Sequence, residues 1–182
     1  MSVIPKTRLL IEDVGSSGSW NMAVDEFLLC RALTANELAI RVYRWNTPTV
    51  SLGYFQDSTE FFASGQFPSL PVVRRLSGGG AILHDREITY SIAVPATHSL
   101  IVDPVQLYEA AHSGIVRVFQ ELGVALDRRG TNLKRKDEPF LCFSRGDRND
   151  LVLQGVKVVG SAQRRRKGAV LQHGSILLDA SP

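Results

Sequence analysis

Only two cysteines, Cys30 and Cys142, occur among the 182 residues. Two thiols form no spacing pattern of the kind that staples small secreted domains, so a disulfide framework is excluded and both thiols are expected to be free. No apolar run approaches the ~20 residues that a bilayer-crossing helix needs. The opening MSVIPKTRLL also lacks the long apolar stretch of a secretory signal. These absences predict a cytoplasmic setting with no membrane partner. Charge of one sign is scarce too, since 21 Lys and Arg against 18 Asp and Glu leave a formal net charge of +3. That is too little for a polycation, and a mildly basic surface suits an acidic protein partner as well as a nucleic acid. Internal repeats, low-complexity tracts and linkers are missing as well. One domain over 1–182 is therefore expected, and the abrupt end at Asp179-Ala180-Ser181-Pro182, directly after a strand pattern, reads as a truncated C-terminus.

What is present is enough for one apolar core, with 44% hydrophobic and 21% charged residues. RLLIEDVG (8–15) reads as a strand. Ser19 then caps a helix from Trp20 to Leu33, with Met22, Ala23, Phe27, Leu28 and Cys30 as its buried stripe. AIRVYRW (39–45) alternates as a strand does, and TVSLGYF follows as another. PVVRRLSGGGAILH (71–84) predicts strand, glycine turn, strand, with ITYSIAVP (88–95) continuing as a paired strand. After Pro104 the period becomes helical through Leu107, Ala110, Ala111, Ile115, Val118, Phe119 and Leu122, and Gly123 closes the segment. FLCF, DLVLQ, VKVVGSAQ and AVLQHGSILL are strand candidates beyond it. Many strands with an early and a late helix predict an α+β class with a mixed, largely antiparallel sheet and flanking helices.

Three stretches carry chemistry. In RRLSGGGAILHD, three bare glycines let backbone approach a ligand and adopt positive φ, and successive N–H groups can form a concave anion or carbonyl site. The bland alternative is a flexible hairpin turn. Arg74 and its neighbouring arginine, Ser77, Ala81 and His84 favour a binding site, because guanidinium groups hold phosphate or carboxylate through paired donors. In GVKVVGSAQRRRKGAVLQHGSILL, Lys157 lies in an apolar strand, either on the solvent face of an edge strand or facing a ligand. The basic run Arg164 to Lys167 is a solvated hairpin tip or a docking patch for an acidic carrier domain. It lacks interleaved aromatics, so nucleic acid is not an expected partner. His173 reads as a core histidine with satisfied nitrogens. In PFLCFSRGD, Cys142 sits among Phe140, Leu141 and Phe143, where a cysteine is more often a small buried hydrophobe than a nucleophile, unless positive charge such as Lys157 favours its thiolate.

Taken in order, NMAVDEFLL (21–29), RVYRWNTPTVSLGYFQ (41–56), RRLSGGGAILHD with EITYS, and KVVGSAQRR with LQHGSILL resemble the lipoate–protein ligase and octanoyltransferase family, related in fold to the biotin protein ligases. The resemblance implies a biotin/lipoate protein ligase-like catalytic domain. The segment from Cys142 to Ser175 is similar to the cysteine-dependent octanoyltransferases, although FSRGDRNDLVL stands where they more usually have a proline-serine-tyrosine segment. That likeness implies an acyltransferase with Cys142 as nucleophile and Lys157 as polariser. Arg74, Ser77, Gly78, Gly79, Gly80, Ala81, Ile82, His84, Gly160, Ser161, Ala162, His173 and Gly174 are then implied as substrate-binding positions. Octanoyl-acyl carrier protein is the implied donor, and a lipoyl-domain protein such as glycine-cleavage protein H the implied acceptor. No metal or other cofactor is expected. An ATP-dependent lipoate ligase, with magnesium and a lipoyl adenylate, is the first alternative, and a non-catalytic binder of acyl carrier protein the second.

Overall fold

The computed structural model describes residues 4–65, 67–130 and 146–179. In chain order the elements are β1 (Lys6–Ile11), α1 (Gly18–Ala35), β2 (Glu37–Tyr43), β3 (Thr49–Leu52), α2 (Ser58–Ala63), β4 (Val72–Arg74) and β5 (Ile82–His84). They continue with β6 (Glu87–Val94), α3 (Pro104–Glu121), β7 (Asp127–Arg128), β8 (Leu151–Leu153), β9 (Val156–Arg166) and β10 (Ala169–Leu177). The expected α+β class with a mixed, largely antiparallel sheet is what forms. A seven-stranded sheet runs β1-β2-β6-β10-β9-β8-β7, and a three-stranded sheet runs β4-β3-β5. In the larger sheet β1 and β2 are parallel and the other pairings antiparallel.

The period-2 pattern of the strands buries both faces of that sheet. Ala39, Ala93 and Leu171 meet Leu28, Leu29 and Ala32 of α1 on one face. On the other, Leu38, Val94 and Val170 meet Leu107 of α3 and Ile101. Phe61 of α2 closes the core of the small sheet against Val50, Leu52, Ala81 and Leu83. No helix among the described residues is long and apolar enough to cross a membrane.

Three expectations are corrected. α1 begins earlier, capped by Ser17, whose side chain accepts from the Trp20 amide. Its buried face is Asn21, Asp25, Leu28, Leu29 and Ala32, while Cys30 is exposed and Phe27 is 61% exposed. The physical reason is Arg41, fully buried on β2 beneath the helix, which needs the polar side of α1 as its partner. On α3, Leu107 and His112 are buried but Val118 and Leu122 face solvent, because one side of the helix lies on the sheet. Finally, strand, glycine turn and strand form over 71–84 as expected, but β6 does not continue their pairing, and β4 and β5 do not pair with each other. Both flank β3, so the glycine run crosses the end of β3, and β6 leaves for the large sheet to pair with β2 and β10.

Candidate active site

The glycine run is gripped from behind. Arg75, 2% exposed, donates from Nη2 to the carbonyls of Gly78 (2.7 Å) and Gly80 (2.6 Å), and from Nη1 to the Ser51 carbonyl (2.9 Å). Arg74 turns the other way, and its Nη1 donates to the carbonyls of Gly53, Tyr54 and Gln56. The Tyr54 amide in turn donates to the Ser77 carbonyl at 2.9 Å. Gly53 lies flush against the run, since a Cβ there would overlap the Gly79 carbonyl oxygen. Gly79 takes a φ of 94°, which a side chain would strain.

His173 ties this run to the large sheet, and His84 ties the small sheet to it. His173 engages Ser77 Oγ through Nε2 and Asp25 Oδ2 through Nδ1 (3.2 Å). Asp25 also accepts from Arg41, Tyr43 and Ser91, so one buried carboxylate anchors four donors. His84 engages Ser51 Oγ at 2.7 Å and Glu87 Oε1 at 2.7 Å, and stacks on Trp45 with centroids 3.9 Å apart. Both rings thus have both nitrogens satisfied, as a core histidine should.

From His173 the strand register leads to the lysine. His173 lies opposite Ala162, Gly174 opposite Ser161, and Ser175 opposite Gly160. β9 is interior, between β10 and β8, so Lys157 is not on an edge. The register of β8 against β9 shifts between Leu151 and Val152, and this irregularity brings Lys157 and Gly160 together. A Cβ on Gly160 would sit 2.6 Å from Lys157 Cε and 2.9 Å from Nζ. Lys157, 8% exposed, pairs with Asp150 Oδ1 at 3.0 Å. Burial pushes the Asp150 carboxyl up, and the lysine charge opposes that shift.

Beneath the same strand, Ser161 Oγ is 2.7 Å from both Tyr90 Oη and His112 Nε2, and Gln172 donates to Tyr90 Oη at 3.0 Å. Burial lowers His112 to about 4. Its folded pKa thus lies below its ordinary value of about 6.5, and the unfolded chain takes up the proton first as pH falls. Stability from this group is complete above about pH 6.5 and is lost toward pH 4, by up to about 3 kcal/mol. Thermal unfolding between those pH values should therefore fall less steeply in His112→Gln than in the wild type. Equal slopes would refute the assignment. Gly174 is packed as tightly, since a Cβ there would lie 2.6 Å from Tyr90 Cε1 and 2.8 Å from the Gly160 carbonyl oxygen. Gly174→Ala should cost about 1–3 kcal/mol by overpacking, read as a lower denaturant midpoint.

Residues 17–182 match the lipoyl protein ligase A/B catalytic domain family. The chain belongs to that family. It is 38% identical over 173 residues to the octanoyltransferase LipM of Oceanobacillus iheyensis, covering 92% of this chain and 63% of the relative. To octanoyltransferase LipM of Bacillus subtilis it is 38% identical over 185 residues, covering 96% and 66%. The chain thus spans somewhat less than two thirds of the length of these relatives. In fold it is similar to a bi-partite lipoate protein ligase from Thermoplasma acidophilum, at a TM-score of 0.67 and 23% identity, covering 97% of this chain and 63% of that one.

Within this lipoyl protein ligase A/B domain, the structure strings Ser77, His173, Gly174, Ser161, Gly160 and Lys157 along one continuous path. His84 belongs to a separate buried cluster with Glu87, and Ile82 pairs with Ser51 in the small sheet. Cys142 lies outside the described residues. Asp25, Asp150 and His112 were not singled out from sequence. Asn21 and Asp25, four residues apart inside an apolar helix pattern, were the available signal for the first. Asp150 opens the strand pattern DLVLQ with no further signal, and His112 has none beyond its place on a helix face.

Proposed function

We propose that this domain transfers an octanoyl group from a carrier-protein thioester to a lysine of a lipoyl-domain protein, through a thioester on Cys142. The observation that carries the reading is the 38% identity, over more than nine tenths of the chain, to proteins named octanoyltransferase. It is supported by Lys157, buried and paired with Asp150 at the register shift of β8 against β9, beside Gly160. In the first step the Cys142 sulfur forms a bond to the acyl carbon, and the bond to the carrier sulfur breaks. In the second the acceptor amine forms the amide bond, Cys142 leaves as thiolate, and the amine loses its proton. Thioester exchange is nearly neutral in energy and aminolysis is downhill, so neither step calls for ATP. Lys157 balances the charge on sulfur and on the acyl oxygen, and amides of the glycine run or of Gly160 to Ala162 donate to that oxygen.

Mixing the protein with octanoyl-acyl carrier protein and measuring intact mass, followed by peptide mapping, should place one octanoyl group on Cys142. Adding an apo lipoyl domain should then move it to that domain. Failure of both steps, together with attachment of free lipoate in the presence of ATP and magnesium, would replace this reading by the ligase.

A further inference from the structure

We propose that Arg75 is the positioning residue of the glycine run: its buried guanidinium sets the direction in which the amides of Gly79, Gly80 and Ala81 point, and it does not itself contact substrate. An arginine beside a glycine run invites the reading that it holds an anion. Here one nitrogen, Nη2, takes both the Gly78 and Gly80 carbonyls, and the other holds the Ser51 carbonyl and, at 3.3 Å, its hydroxyl. The Arg75 amide donates to the Leu52 carbonyl at 3.0 Å, which fixes the side chain's root to β3.

Those contacts decide the amides by simple geometry. The carbonyls of Gly78 and Gly80 point at Arg75, and that of Gly79 points at the Cα of Gly53, so all three face the protein body. In an extended chain successive carbonyls alternate, and the left-handed φ of Gly79 removes that alternation. Each peptide unit is trans, so its N–H is directed opposite to its C=O. The amides belonging to those three carbonyls are those of Gly79, Gly80 and Ala81; each is directed opposite to its carbonyl, that of Gly79 on an exposed residue and those of Gly80 and Ala81 on buried ones. A cation on the carbonyl side also polarises each peptide group, which makes its N–H a stronger donor. The Ser77–His173–Asp25 chain braces the entry to the run from the other end.

Donors fixed before the reaction act on charge that develops in the transition state, so their loss lowers kcat and leaves KM for the acyl donor nearly unchanged. Two variants test this, and both keep Cys142 and Lys157. Arg75→Lys leaves one ammonium where four contacts were made. Gly53→Ala keeps the arginine but pushes on the Gly79 carbonyl. Each is expected to lower kcat for octanoyl transfer by about 10²-fold, the cost of a misplaced oxyanion donor. Each should also shift the amide resonances of Gly79, Gly80 and Ala81 in nitrogen–proton NMR spectra. Gly53→Ala carries the test if Arg75→Lys does not fold. A folded variant with unchanged amide resonances, one with shifted resonances and full kcat, or a rise in KM at constant kcat would overturn the proposal. The activity arm rests on the transferase reading, but the resonance arm does not. A wild-type protein that moves no octanoyl group would therefore sink the former reading and leave this one to be judged by NMR.

Discussion

Alanine in place of Cys142 is expected to abolish the acyl-enzyme and to lower transfer by a factor on the order of 10⁴–10⁶, the scale seen when a covalent nucleophile is removed. A thiol is both strongly nucleophilic and a good leaving group at neutral pH, a combination that hydroxyl and amine side chains lack. Cys142→Ser should form little or no acyl-enzyme, since an alcohol is far less ionised than a thiol. Cys30 supplies an internal control. It is exposed on α1, so it is free to react, yet it lies among none of the site residues described above. Intact-mass measurement with octanoyl-acyl carrier protein checks the expectation. An adduct that persists in Cys142→Ala, or that maps to Cys30, would refute the proposed chemistry.

Lys157→Ala has the second-largest expected effect, and it should act on rate and stability together. The side chains of Lys157 and Asp150 are only 6% and 3% exposed, so removing the cation leaves a buried carboxylate held only by Arg129, 3.5 Å away, and by the Asp147 amide. Deleting one member of a buried pair costs about 3–5 kcal/mol when the other is left alone, and Arg129 reduces that cost here. Loss of the polarising charge should reduce both acyl loading and delivery by about 10²–10³-fold. The two effects separate in the double variant Lys157→Ala/Asp150→Asn, which neutralises the stranded carboxylate. Stability should return in part, since the change also takes the carboxylate away from Arg129, while transfer stays low. Recovery of rate along with stability would show that Lys157 serves the fold alone.

Local pattern made most elements legible. Helical spacing after Pro104 gave α3, and alternation gave β2, β6 and β10, because each such stripe must face a core. The error on α1 has a single cause. Met22, Ala23, Phe27 and Cys30 were assigned to the core of α1 because they are apolar, whereas the helix turns Asn21 and Asp25 inward. A buried polar face cannot be told from a solvated one until the partner on β2, Arg41, is in place. The glycine run was read as a site from its composition. Its grip by Arg75 was not foreseen, because the Ser51 contact comes from a strand 24 residues away in sequence.

The sequence by itself determined the α+β class, the family likeness and the short list of reactive residues, since these follow from periodicity and from the order of motifs along the chain. Tertiary structure alone decided which way each side chain points. It put Asp25 under His173, Asp150 beside Lys157, and the carbonyls of the glycine run on the guanidinium of Arg75. The first pairing joins segments 148 residues apart, and the other two, though near in sequence, depend on strand order, register and turn geometry, which no local spacing encodes.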